Sequence, residues 1–282
     1  MRLHFALAAL VSGTGALLAL AGVTPSAAQE SHVHGLSGRA AAGQKVYQRF
    51  CVGCHGPDGD GAGENALWID PKPRDFTLAV FKCRSTPSGT LPTDEDLFNA
   101  ITRGFVTTNM PQWRPLTAQN RVDAIAYIKT FSPKWKTLKA GTPITIPPEP
   151  KVTIQSELHG RELFQKLECW KCHGPTGHGD GPSAATLTDN KDRPIPPYNF
   201  STGSRFKCGV TNQDLYRIFI TGLDGTPMPS FADDIQPGEA WDLVHFLRTL
   251  QPFQTEEATV WKTWVANHGS ELKPIGPPGG GQ

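Results

Sequence analysis

Cys51-Val-Gly-Cys-His55-Gly-Pro57 and Cys169-Trp-Lys-Cys-His173-Gly-Pro175 are the stretches that decide how this chain is read. Cys-x-x-Cys-His is the pattern that fixes haem c through two thioether bonds and supplies the next residue as an iron ligand. Two occurrences at equivalent places argue against structural zinc and against thioredoxin-like chemistry, whose motifs need other partners. Cys51, Cys54, Cys169 and Cys172 are therefore read as covalent anchors for two haem c groups, with His55 and His173 as proximal iron ligands.

Working outward from these motifs exposes an internal duplication, residues 39–131 against 160–250. Phe81-Lys82-Cys83 matches Phe206-Lys207-Cys208, Thr93-x-x-Asp96 matches Thr211-x-x-Asp214, and Asn109-Met110-Pro111 matches Pro227-Met228-Pro229. Each copy carries three amphipathic segments. The first covers residues 40–50 and 160–167. The second runs from Thr93 or Thr211, a capping-box signal, to a stop at Gly104 or Gly222. The third covers 118–131 and 238–250, and no run alternates as a strand should.

The sixth iron ligand follows from scarcity. The chain has three methionines, and apart from Met1 only Met110 and Met228 remain. Met110 lies 55 residues beyond His55, and Met228 lies 55 beyond His173. A proline follows each and keeps the preceding backbone out of helix. Thioether sulfur raises the reduction potential relative to a second histidine, and an iron with both axial positions filled offers no open site to a substrate. No catalytic residue is therefore assigned.

With these residues in place, each copy resembles a class I cytochrome c domain. The resemblance implies an all-α fold of two tandem domains, each a small helical bundle wrapped around its haem. It further implies a periplasmic electron carrier between a donor dehydrogenase or quinol-oxidising complex and an acceptor oxidase or reductase. Two alternatives stay open, a haem-bearing subunit of a larger oxidoreductase complex, and a two-haem enzyme of peroxidase or thiosulfate dehydrogenase type.

Cys83 and Cys208 stand outside the haem motifs. If the two copies pack about a pseudo-twofold axis, these equivalent residues meet and can form a disulfide. Two buried thiols beside haem, or one thiolate bound to iron, are the other readings. About seven residues between Cys83 and Thr93 have no counterpart between Cys208 and Thr211, an insertion that suits either a docking surface or a plain loop. Lys82 and Lys207 are candidates to pair with haem propionates or to sit solvated at the surface. Trp113 and Phe231 are candidates to pack on haem.

The remaining segments frame these domains. Residues 1–28 read as an export signal, from Arg2 through an apolar run to Ser26-Ala27-Ala28, so the chain is expected in the periplasm with no membrane span after cleavage. Residues 29–38 read as a flexible lead-in, 39–131 as the first domain, and 132–156 as a stiff proline-rich linker. The second domain follows over 157–251, then a tail over 252–282 with one short helix near Trp261 and Trp264. With 27 Lys and Arg against 26 Asp and Glu, the net charge of +1 disfavours nucleic acid as a partner.

Overall fold

The computed structural model describes residues 30–106 and 108–277, so the export signal read in 1–28 lies outside the described residues. The first copy contains α1 (Ala40–Phe50), α2 (Val52–His55), α3 (Asp94–Arg103) and α4 (Ala118–Lys129). A one-turn helix, α5 (Lys134–Thr137), opens the connector. The second copy repeats the plan with α6 (Ile154–Lys166), α7 (Trp170–His173), α8 (Asn212–Thr221) and α9 (Pro237–Thr249), and α10 (Glu256–His268) closes the chain. Among the described residues, no helix is long and apolar enough to cross a membrane.

The second helix of each copy starts where the sequence signals it. The Thr93 hydroxyl accepts from the Asp96 amide at 3.1 Å while the Asp96 carboxylate accepts from the Thr93 amide at 2.9 Å. Thr211 and Asp214 do the same at 3.1 Å in both directions. These reciprocal bonds satisfy two amides that the first helical turn leaves free. Both helices stop at a glycine of positive φ, 59° at Gly104 and 65° at Gly222, a region that other residues enter only with strain.

In each copy the first helix crosses the last at a glycine. A Cβ on Gly43 would stand 1.9 Å from the Asp123 carbonyl oxygen, and one on Gly160 would stand 2.0 Å from that of Asp242. The two backbones approach this closely only because no side chain intervenes. Gly160→Ala is expected to force α6 off α9 and destabilise the second domain by about 1–3 kcal/mol, the usual cost of overpacking. A thermal melt of that variant overlying the wild-type curve would refute the close approach.

Several boundaries differ from the sequence expectation. Residues 30–38 are not a flexible lead-in. His32–Val33 and Leu36–Ser37 pair as an antiparallel hairpin, β1 and β2. Val33 is buried with Leu91, Leu97, Val122, Ile125 and Trp135, and the Ser31 hydroxyl donates to the Val122 carbonyl at 2.7 Å. Two apolar residues at the hairpin were too few to register as a period. The linker also yields its ends to helix. Trp135 is buried on α5, and α6 begins at Ile154, capped by Thr153. Between them the connector is extended, its Gly141 amide donating to Leu91 and its Ile144 amide to Ser85, at 3.0 and 2.8 Å.

The tail is likewise longer in helix than the sequence suggested. Trp261 on α10 meets Phe246 edge to face at 5.7 Å, joining the second core around Phe164, Trp241, Val244 and Leu247. Gln165 then exchanges hydrogen bonds of 2.7 and 2.8 Å with the backbone of Gly276.

Under α10 lies a charged group that the core does not accommodate. Glu157 is fully buried, and neither of its carboxylate oxygens has a hydrogen-bond partner among the described residues. Burial and the nearby negative Glu257 push it from 4.5 up to about 8. The folded protein therefore favours the neutral carboxyl. That stabilisation is complete below about pH 4.5 and is lost as pH rises through about 8. Glu157→Gln is expected to stay neutral throughout, so the fall in melting temperature between about pH 6 and about pH 9 should shrink in the variant. Parallel falls in wild type and variant would show that another group controls it.

Candidate functional site

α1 delivers the chain to Cys51, and the single turn of α2 brings Cys51, Cys54 and His55 to one wall of a cleft of about 1410 Å³, open mouth included. Met110, 55 residues later, lines the same cleft. The turn before it is closed by its own backbone, with the Phe105 amide donating to the Met110 carbonyl at 3.0 Å and the Thr108 hydroxyl accepting from the Met110 amide at 3.1 Å. The second copy repeats these contacts, Leu223 to Met228 at 3.1 Å and Met228 to Thr226 at 3.2 Å. Met228 and Cys169 pack against one core cluster.

The histidines are set up as ligands. His55 Nδ1 lies 2.9 Å from the Arg74 carbonyl oxygen, and His173 Nδ1 lies 2.9 Å from that of Tyr198. A carbonyl only accepts, so each Nδ1 carries the proton and each Nε2 keeps its lone pair for a metal. Burial lowers the pKa of both rings, which holds them neutral. Phe76 stacks on His55 with centroids 4.5 Å apart, and Phe200 lies 5.1 Å from His173.

Burial pushes the unattached Cys51 and Cys169 thiols up to about 12. Among the described residues, no cluster of three or more metal-ligating side chains forms.

One wall of the cleft is cationic. Arg74, Lys82 and Lys207 all line it, the last from the second copy. Burial and its neighbours Lys207 and Arg74 pull Lys82 down to about 8, and burial lowers Lys207 as well. Neither lysine is a solvated surface group. An apolar cleft with two thiols, a neutral imidazole, a thioether and three half-buried cations fits a haem with its anionic propionates. Trp113 lines this cleft, while Phe231 packs on the second core.

Sequence reasoning missed the carbonyls of Arg74 and Tyr198. Their signal is an aromatic two residues on, Phe76 and Phe200, whose amides donate to Gly59 and Gly177 at 2.6 and 2.8 Å. Cys83 and Cys208 are joined by a disulfide across the two copies. The insertion after Cys83 is packed between the copies.

Comparison with known proteins agrees with this geometry. Residues 38–128 match the family described as cytochrome c oxidase, cbb3-type, subunit III, and residues 158–251 match the family cytochrome c. A chain of the reducing HAO-like protein complex of Kuenenia stuttgartiensis is 41% identical and covers 76% of this chain and 97% of its own, with a TM-score of 0.73. No curated protein gives a match. The chain belongs to the c-type cytochromes, as a dihaem member with two tandem cytochrome c domains. It carries two covalently bound haem c groups, and haem-based electron transfer is their chemistry.

Proposed function

We propose that the protein is an exported electron carrier working in the periplasm. In this reading Cys51 and Cys54 hold one haem, with His55 and Met110 as its axial ligands. Cys169 and Cys172 hold the other, with His173 and Met228. The domains span 39–131 and 157–251. The observation that carries the reading is the matched geometry of the two copies, each with a histidine Nδ1 tied to a carbonyl and a methionine at the end of a self-closed turn. Bound haem supplies the redox chemistry. The protein's residues hold the iron six-coordinate, exclude water with the aromatic walls and offset the propionate charge with Arg74, Lys82 and Lys207.

The partners are redox proteins, a dehydrogenase or quinol-oxidising complex as donor and an oxidase or reductase as acceptor. The likeness to a chain of an HAO-like complex supports a second reading, in which this chain is the haem subunit of a larger oxidoreductase. Elution of the native protein alone or with a stable companion separates the two. A catalytic haem needs a vacant or labile sixth position, so the filled axial sites favour transfer over turnover.

Optical spectra test the ligand set. The oxidised protein is expected to show a weak near-infrared methionine-sulfur band, with Met110→Ala and Met228→Ala each removing one haem's share. A high-spin iron at rest in the wild type would overturn the carrier reading and favour an enzyme.

A further inference from the structure

The insertion found only in the first copy grips the loop that presents Met228. We propose that Arg84 and Asp224 form a latch across the domain boundary that keeps Met228 on its iron, while Met110, among the described residues, is held by its own turn. This rests on the reading of Met228 as an axial ligand.

Arg84 has no side-chain exposure. Its guanidinium donates to the Pro87 and Phe81 carbonyls at 3.3 and 3.1 Å within its own copy. Across the boundary it donates to the Thr221 carbonyl and, at 2.8 Å, to the Asp224 carboxylate. Asp224 also accepts from the Ser88 hydroxyl and the Gly89 amide, each at 2.9 Å. Every donor to Asp224 thus comes from the insertion. A buried guanidinium bonded to a half-buried carboxylate that accepts several bonds makes the strong, charge-assisted kind of hydrogen bond.

Asp224 stands four residues before Met228, inside the turn that closes on the Met228 carbonyl. Release of the sulfur by opening of this turn pulls Asp224 from Arg84, Ser88 and Gly89. The insertion is itself fixed, because Asp96 accepts from the Ser85 amide and hydroxyl at 2.9 and 3.0 Å and the connector pairs with Ser85 and Leu91. The disulfide at Cys83 anchors its start to the second copy.

Among the described residues no reciprocal latch forms in the first copy, because the second copy lacks the inserted residues. The position matching Asp224 is Val106, which is 53% exposed. Among the described residues, the hydrogen bonds that hold the turn before Met110 come from within that turn. The duplication therefore gave two haem loops of one design, of which, among the described residues, the second is clamped from outside.

Binding of imidazole to the oxidised full-length protein, followed optically after rapid mixing, tests this, since the added nitrogen must wait for methionine to leave. The wild type is expected to bind in two phases of equal amplitude, fast at the first haem and slow at the second. Asp224→Ala should speed the slow phase by about tenfold, the factor that corresponds to about 1.4 kcal/mol. The fast phase and the helix content should not change. Arg84→Gln, made from the other side of the boundary, should have the same effect. A single wild-type phase, or a slow phase untouched in Asp224→Ala, overturns the latch. If Met228→Ala leaves the near-infrared band whole, the ligand assignment falls and the latch with it. If that band halves while Asp224→Ala keeps the wild-type rate, the latch alone falls.

Discussion

Cys51→Ser with Cys54→Ser is expected to give a protein with one covalent haem and a first domain that no longer unfolds cooperatively. Serine forms no thioether, so the haem of that domain loses both covalent bonds. The cleft it leaves is lined by Phe81, Leu97, Ile101 and Ile128, which belong to the two small core clusters of the first copy. Without haem those side chains face water or collapse, and a domain with a margin of about 5–15 kcal/mol does not survive the loss of its central group. Intact mass should fall by one haem, and the helix signal should lose the share of α1 to α4. A protein that keeps two covalent haems by mass would show that these cysteines are not the anchors.

The second large effect is expected from Cys83→Ser with Cys208→Ser. The disulfide joins residues 125 apart in sequence, and the chain-entropy account assigns a loop of that length about 4–5 kcal/mol. Among the described residues, the ion pairs that join the copies directly are Arg84 to Asp224 and Lys191 to Asp75. Guanidinium unfolding should therefore start at lower denaturant in the variant and separate into two transitions, one per domain. Wild-type protein unfolded with a reductant should follow the variant's curve. Coincident wild-type and variant curves would mean that the bridge adds nothing to stability.

How much of this was legible in the sequence depends on how local the signal is. The helices α3 and α8 were readable to the residue because their starts and stops are set by Thr93, Thr211, Gly104 and Gly222 acting on adjacent backbone. The hairpin at 32–37 was not, since its stability comes from packing Val33 against residues sixty to a hundred positions away. The start of α6 was hidden by the prolines just before it, which made Thr153 look like linker. For the candidate site, the anchors and the methionines were visible through duplication. The carbonyls that orient the histidines were not, because the residues bearing them, Arg74 and Tyr198, share no type, and their one mark is the aromatic two positions on. The insertion after Cys83 was visible as a length difference, but its grip on Asp224 is a contact across 135 to 140 residues that no pattern announces.

The bridge between the domains also constrains how the protein can be made. Six cysteines can pair in about fifteen ways, yet the structure contains one bridge and four thiols that must stay reduced until haem is attached. Cys208 is the last cysteine in the chain. Under the proposed export into an oxidising compartment, both Cys-x-x-Cys pairs arrive before Cys208, the native partner of Cys83. Maturation thus has to be ordered, with an external reductant holding the early pairs open and an oxidant acting on the late one. In cells deprived of that reductant, the product expected is a haem-free chain with cysteines joined to their nearest neighbours.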